Sequence, residues 1–387
     1  MEMNQVYGLM NTVTSEVLGE SAIVAEDLSN VVDIGKEIFN ANAVDAYVKS
    51  LVNHIGKVIF VNRPYVGSVP SVLMDGWEFG SVLEKITAEL PNAVENESWE
   101  LENNKEYNPN IFYKPTVSAK FFNKRVTFEV DMSFTEKQIK QSFSNASQLN
   151  GFLSMLYNAV DKAMTIKIDA LVMRTINNMT AQTLHDEYPD EDYSAKSGVR
   201  AINLLKLYND KFNAELTADT AITTPEFIRF ASYTMGLYVD RLSKISRLFN
   251  IGGKDRFTPK DMLHVVMLSD FQKSANTYLQ SDTFHDMYTA LPNAETVPYW
   301  QGSGNDYSFA SVSDIHVNIE SSDTTAEVVA SGILCVMFDR DALGVTNLDR
   351  RVTTNYNPKA EFWNNFYKFE AGYFNDLNEN FIVFFIA

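Results

Sequence analysis

Five histidines, one cysteine and 50 carboxylates are the residues of this chain with chemistry to offer. His54, His185, His264, His285 and His316 are dispersed, and no two share the spacing that brings imidazoles together on a helix to hold zinc. Cys335, standing alone, excludes an intrachain disulfide framework and a cysteine-based structural zinc site. Its apolar neighbours, Gly332 to Phe338, make it a buried strand residue with an inert thiol. The carboxylates supply many candidate pairs for glycoside hydrolysis, and no spacing singles one out. A Gly-x-Ser-x-Gly elbow, a His-Glu-x-x-His pair and a dinucleotide glycine fingerprint are missing from the sequence. Ile251-Gly252-Gly253-Lys254-Asp255 lacks the upstream glycine and the Ser or Thr after lysine that a phosphate loop requires, and reads as a helix C-cap and turn. Gly302-Ser303-Gly304-Asn305 reads as a turn. Asp186 to Tyr193 is acidic but lacks the glycine and spaced ligands of a calcium loop, and reads as a solvated loop. Tyr299-Trp300 and the cluster Phe362, Trp363, Phe366, Tyr367 and Phe369 have the rings to stack on sugars. The cluster lies in a strand pattern beside an apolar terminal strand, so packing is the expected role. The expectation is a protein with no catalytic site, no metal and no cofactor.

The elements that would carry these residues are more informative. With 387 residues, 45% of them hydrophobic, the chain can bury one large core or two modest ones. A net charge of -18 and a pI of about 4.7 repel phosphate backbones, so affinity for nucleic acid through counterion release is not expected. The start, Met1-Glu2-Met3-Asn4-Gln5, lacks the basic and apolar regions of a signal peptide. Apolar runs such as Phe381 to Ala387 fall far short of the ~20 residues that span a bilayer. A soluble chain made in a reducing compartment, with no membrane partner, is expected.

Along the chain, the first 54 or so residues carry scattered apolar positions and short helical stretches such as Ala43 to Leu51. Such a segment suits an arm lying on neighbouring subunits or an ordinary helical subdomain. Ile55 to Val61 reads as a strand. From about 78 to 134 runs a long β-excursion whose return half is the clearest strand of the chain: Val126, Phe128, Val130, Met132 and Phe134 alternate with polar residues. Ile111, Tyr113, Val117, Ala119 and Phe121 add strand-like spacing, and asparagine- and proline-rich turns interrupt the middle. A helical stripe follows at about 146–179, capped by Ser144 or Asn145, with Leu149, Leu153, Leu156, Val160, Met164, Ile168 and Leu171 at spacings of three and four. Beyond it, Val199 to Phe212 reads as a helix. Thr224-Pro225-Glu226 starts another, whose apolar face runs to Phe249 before Gly252-Gly253. Met262 to Leu268 and Asp314 to Ile319 read as strands and Lys273 to Tyr288 as a helix. The C-terminal part returns to β at Ile333 to Phe338, Glu361 to Phe374 and Phe381 to Ile386, with a turn at Asn375 to Asn380.

This order of elements resembles the Hong Kong 97-type capsid fold of tailed bacteriophages. The text of Val336 to Thr346, Tyr356 to Phe366 and Ala371 to Phe381 resembles the major head proteins of phi29-like small short-tailed phages of Gram-positive hosts. The resemblance implies an α+β fold with an N-terminal arm (1–54), an extended β-loop (78–134) and an axial domain (199–330). It also implies a peripheral domain (55–77, 135–198 and 331–387) built on the long spine helix. It implies a homo-oligomer of pentamers and hexamers in an icosahedral shell, enclosing DNA without sequence-specific binding. A separate scaffolding protein, a portal, a place in the virion and assembly in the host cytoplasm follow from it as well. Trp99, Phe112, Tyr113, Phe121, Phe122, Arg125, Glu129 and Asp131 are then the candidate subunit-interface residues, because loop and arm would need neighbours to cover their apolar faces. Some relatives crosslink a loop lysine to an asparagine. Lys85, Lys105, Lys114, Lys120 and Lys124, with Asn378 and Asn380, are the residues of those types here. The alternatives are an encapsulin-like nanocompartment shell and, from another class, a phage adhesin or receptor-binding protein.

Overall fold

A computed structural model of the chain describes residues 3–19, 24–25, 29–40, 43–44, 46–47, 49–50, 68–74, 83–91, 93–96, 98, 100–138, 146–280, 292–301, 308–321 and 324–387. In chain order the strands are β1 (Leu73–Met74), β2 (Leu83–Ala88), β3 (Val117–Phe122), β4 (Arg125–Thr135), β5 (Ala201–Asn203), β6 (Leu263–Leu268) and β7 (Glu295–Val297). They continue with β8 (Ile315–Ser321), β9 (Thr324–Ala330), β10 (Ile333–Asp339), β11 (Leu343–Asn357), β12 (Phe362–Asn375) and β13 (Phe381–Phe385). The longer helices are α1 (Met3–Leu18), α2 (Val31–Asn40), α3 (Ala146–Glu187), α4 (Leu204–Phe212), α5 (Pro225–Leu242) and α6 (Ser269–Gln280). The chain forms two compact units. One takes Met1–Gly76, Arg125–Thr175 and Val345–Gly372; the other takes Trp77–Lys124, Ile176–Gly344 and Tyr373–Ala387.

The first unit is built on a four-stranded sheet in the order β1-β11-β12-β4. The alternation read in the sequence over 126–134 is realised in β4, which pairs antiparallel with β12 from Phe362↔Thr135 to Gly372↔Arg125. Its apolar face joins Trp363, Tyr367 and Phe369 of β12 in a core with Val160, Met164 and Ile168 of α3. The N-terminal helices complete that core through Met10, Val13, Val31, Ile34 and Ile38, with Tyr47 behind them. Tyr47 donates to the Met10 sulfur at 3.0 Å, and burial pushes its phenol above the usual tyrosine range. The described apolar residues of the first fifty are therefore covered by their own unit. This corrects the expectation that only neighbouring subunits shield them: α2 carries its apolar residues on one face, and the sheet is there to receive it.

The second unit centres on a five-stranded sheet in the order β5-β13-β10-β6-β7. Every residue of β10 and β13 is buried, as continuous apolar strands covered on both faces must be. Cys335 lies in β10 fully buried, and burial raises its thiol above the usual range, as the sequence implied for an inert thiol. One side of the sheet packs on Leu205 and Tyr208 of α4, Phe227, Ala231, Met235 and Tyr238 of α5 and Phe271 of α6. Trp300 is held by its indole N–H donating to the Ile333 carbonyl at 2.8 Å, while Asn177 donates to the Trp300 carbonyl at 2.7 Å.

Several boundaries differ from the sequence reading. The helix expected from Val199 starts at Leu204, because Ala201–Asn203 pair with β13 and Asn203 then caps α4 by accepting from the Lys206 N–H at 3.0 Å. α5 stops at Leu242, well before Gly252. Thr224 precedes Pro225 as expected, but its hydroxyl donates to the Thr220 carbonyl at 2.8 Å and caps nothing. α3 runs on to Glu187, so Asp186 and Glu187 belong to a helix end, where both pair with Arg200. β3 begins only at Val117, and residues 111–116 carry no strand. The strand at 55–61, the caps Ser144 and Asn145, the helix beyond Gln280 and the turn at 302–305 lie outside the described residues.

Phe384 is fully buried and meets the Tyr238 ring edge-on at 5.4 Å. Phe384→Ala is expected to lower the stability of this unit by ~3–5 kcal/mol. Urea unfolding followed by near-ultraviolet circular dichroism would show it as a lower midpoint.

Candidate functional site: an exposed hairpin on a buried ionic base

Strands β2 and β3 form an antiparallel hairpin from Leu83↔Phe122 to Ala88↔Val117. Between them, the described residues of 89–116 form turns and extended chain, including Asn104 in the left-handed region at φ 68. Asparagine tolerates that conformation better than most side chains. Of the twenty exposed large hydrophobic residues among those described, ten lie on this hairpin. Phe112 is 84% exposed and Tyr113 81%. A hairpin two strands wide has no second layer to bury such side chains, so its apolar surface is left for another molecule.

The base of the hairpin is held differently. The register places Lys85 directly opposite Lys120, a like-charge pair that destabilises a sheet when left alone. Asp376, in the turn between β12 and β13, bridges the two: one carboxylate oxygen lies 2.9 Å from the Lys85 Nζ and the other 2.9 Å from the Lys120 Nζ. The Asp376 side chain is 2% exposed. Glu379 continues the network, accepting from Lys85 at 2.7 Å and from Arg256 at 3.2 Å, and the Asp341 carbonyl takes a further Lys85 hydrogen at 3.1 Å. Phe122 closes the base against Phe374, ring centres 5.0 Å apart. On the outer side Lys254 pairs with Glu89 at 2.9 Å.

The turn that carries Asp376 is itself fixed by hydrogen bonds. Its N–H donates to the Ala342 carbonyl at 2.7 Å, and the Glu379 N–H donates back to the Asp376 carbonyl at 3.2 Å. Gly252 packs against this turn, donating to the Leu377 carbonyl at 2.8 Å, and a Cβ there would collide with Asn378. The tight fit against the Asn378 side chain, and not a helix C-cap, is what favours glycine at 252.

Burial favours the neutral form of Asp376, but the hydrogen bond from Lys120 and the charge of Lys85 outweigh it and hold the carboxyl below its usual range. Burial likewise pushes the Lys85 ammonium down, and the hydrogen bond to Glu379 with the charges of both carboxylates reverses that and raises it. A depressed carboxyl adds stability above its unfolded pKa and loses it as pH falls through the folded value. A raised ammonium adds stability below its unfolded pKa and loses it as pH climbs through the folded one. Asp376 and Lys85 thus contribute fully from about pH 4 to about pH 10.

The eight residues singled out from the sequence do not gather in one place. Phe112, Tyr113 and Phe121 are exposed on the hairpin, whereas Phe122 is 9% exposed and buried against Phe374. Arg125, Glu129 and Asp131 lie on β4, in the other unit. There Arg125 pairs with Glu370 at 2.7 Å, Lys368 with Glu129 at 3.2 Å, and Asp131 stands exposed opposite Phe366. Trp99 lies outside the described residues. The return half of the excursion is β3; β4, expected in that role, belongs to the sheet with β12. Of the lysines considered for crosslinking, Lys85 and Lys120 are committed to Asp376. Among the described residues no group of three His, Cys, Asp or Glu converges as a metal site, and no helix is long and apolar enough to cross a membrane.

An exposed apolar hairpin on a buried ionic base is a surface suited to contact with another molecule. Residues 10–385 match the sequence model of the Phi29-like phage major capsid protein family, and the chain belongs to that family. It is a structural protein of the phage head shell, and membership implies self-association, a place in the virion and a non-enzymatic role. No curated protein sequence matches the chain. Among solved structures it is similar to the capsid of Staphylococcus phage Andhra, with 9% identity and a TM-score of 0.49 over 84% of this chain and 86% of that chain. It is also similar to the capsid of the cyanophage P-SCSP1u, with 10% identity and a TM-score of 0.45 over 84% of this chain and 90% of that chain. The satellite phage P4 procapsid, whose structure includes the size determination protein, gives 12% identity and a TM-score of 0.39 over 87% of this chain and 90% of that chain.

Asp376→Asn removes the bridging charge while keeping its shape and leaves Lys85 facing Lys120. Losing one partner of a buried ionic network costs ~3–5 kcal/mol. Amide hydrogen exchange should show faster exchange across β2 and β3, with β10 and β13 unchanged.

Proposed function

We propose that the chain builds the icosahedral head shell in the Hong Kong 97-type arrangement, through pentamers and hexamers of identical subunits. In this reading residues 1–54 are the arm, folded on its own unit, and the hairpin part of 78–134 is the extended loop, with β4 in the sheet beside β12. The axial domain is 199–330 together with β10 and β13, which share its sheet, and the rest of 55–77, 135–198 and 331–387 is the peripheral domain with α3 as spine. The observation that carries it is the hairpin: ten large apolar side chains exposed on one element that its own unit does not cover. Phe112, Tyr113 and Phe121 are the residues whose burial by a neighbouring subunit would repay assembly, with Trp99 on the same loop. Arg125, Glu129 and Asp131 would act at the edge of the β1-β11-β12-β4 sheet, where charged side chains on an edge strand govern what may pair with it. The strong negative charge supports a wall that encloses DNA without sequence-specific binding. A separate scaffolding protein, a portal and assembly in the host cytoplasm belong to this reading by family likeness.

The double substitution Phe112→Ser with Tyr113→Ser touches no core residue, so the subunit is expected to fold and keep its circular dichroism spectrum. Shell yield, read by sedimentation and electron microscopy, should fall at least ~tenfold, since each shell repeats the lost contact many times. Shells at the parental yield would remove the hairpin from the interface.

A further inference from the structure

A cleft of about 390 Å³ opens in the second unit beside the hairpin base. Asn178 and Gln182 of α3, Asn318 of β8, and Asn123 and Lys124 of the turn after β3 line it together with Lys120. Among the described residues none of these four carboxamide side chains has a hydrogen-bond partner. No described Asp or Glu lines the cleft, in a chain that carries 50 of them and a net charge of -18. Lys120 bonds Asp376, yet its side chain is 42% exposed and its ammonium keeps hydrogens to give. Carboxamides with both their donors and their acceptors open, beside two cations, are a binding surface that the chain itself leaves unused.

We infer that this cleft receives an acidic segment of another protein in extended conformation. A carboxamide holds a donor and an acceptor side by side, and a peptide group answers it with both its C=O and its N–H. Asn178 and Gln182 stand four residues apart on one helix, ~6 Å along its axis. Peptide groups that face the same way along an extended chain recur every ~6.7 Å, so the two amides can engage successive ones. A phosphodiester would use only the donors and set the carboxamide oxygens against its own. The two lysines, with no carboxylate beside them in the cleft, select acidic side chains on the bound segment. The inference stands apart from the hairpin's role in assembly, because the side chains that carry it, Asn178, Gln182 and Asn318, lie off the hairpin.

The test is fluorescence anisotropy of the full-length, unassembled subunit with a labelled octapeptide of alternating Glu and Thr. Saturable binding is expected, weakened at least ~fivefold by Asn178→Ala with Gln182→Ala, a change that alters no charge. Lys162→Ala with Lys167→Ala, which removes two exposed cations from the other unit, should leave it unchanged. Circular dichroism checks that each variant folds, and Asn318→Ala, which alters β8 and leaves α3 intact, supplies the same reading should the helix pair fail. Absence of saturable binding, or an equal loss in the two lysine variants, would overturn the inference. An oligothymidylate octamer bound more tightly than the peptide would make the cleft a phosphate site and overturn it too. So would tighter binding of a peptide of residues 95–106, which would assign the cleft to a second copy of this chain.

Discussion

Two lysines facing each other across an antiparallel pair should push the strands apart, and the hairpin keeps its register because Asp376 lies between them. A charge so deeply buried is tolerable only when its hydrogen-bonding capacity is met, and here both carboxylate oxygens are engaged. The turn bearing Asp376 leads directly into β13, an inner strand of the five-stranded sheet. The position of a surface hairpin is thus tied to one of the best-covered strands of the unit. Phe122 against Phe374 and Lys254 with Glu89 add contacts at the same base.

That anchoring resolves an apparent conflict in the hairpin itself. A segment with so much exposed apolar surface would ordinarily collapse onto its own core. The described residues of 89–116 have little strand or helix of their own, and the network at the base holds the strand pair by ionic groups that need no apolar layer. The base specifies direction, while the tip keeps its greasy side chains available to neighbours. Shell proteins need both properties together, because a contact repeated over many copies tolerates little error in angle.

How much of this was legible in the sequence depended on whether the signal was local. The alternation of Val126 to Phe134 announced β4, and the stripe from Leu149 to Leu171 announced α3. Alternation reveals which face a strand buries but not which strand it pairs with, so β4 was expected to close the excursion when its partner is β12. Helical spacing through Ile245 and Phe249 suggested a longer α5. The antiparallel bridge between Ser246 and Arg256, a tertiary closure, ends it. Lys85 and Lys120 were noticed as lysines, yet Asp376 and Glu379 read only as turn residues. The available hint was their placement: two carboxylates in a short turn between strongly apolar strands have little room to avoid burial. The N-terminal helices were misjudged because nothing in their own text shows that the β12-β4 face is free to receive them.

The two kinds of charge on the hairpin also answer differently to solution conditions. At the base, Asp376 is removed from solvent, so mobile ions screen its pairs weakly. At the tip, Glu95, Glu100, Glu102 and Glu106 stand exposed to solvent, where the Debye length falls from ~10 Å at 0.1 M salt to ~3 Å at 1 M. Rising salt therefore weakens any ionic contact of the tip long before it loosens the hairpin from its own unit. In the proposed shell, apolar burial at the tip, with Phe112 and Tyr113 at its centre, would then be the contact that high salt leaves standing. A subunit built this way reaches its partners with its loop already aimed, so most of the ordering entropy is lost in folding and little is left to be lost in assembly.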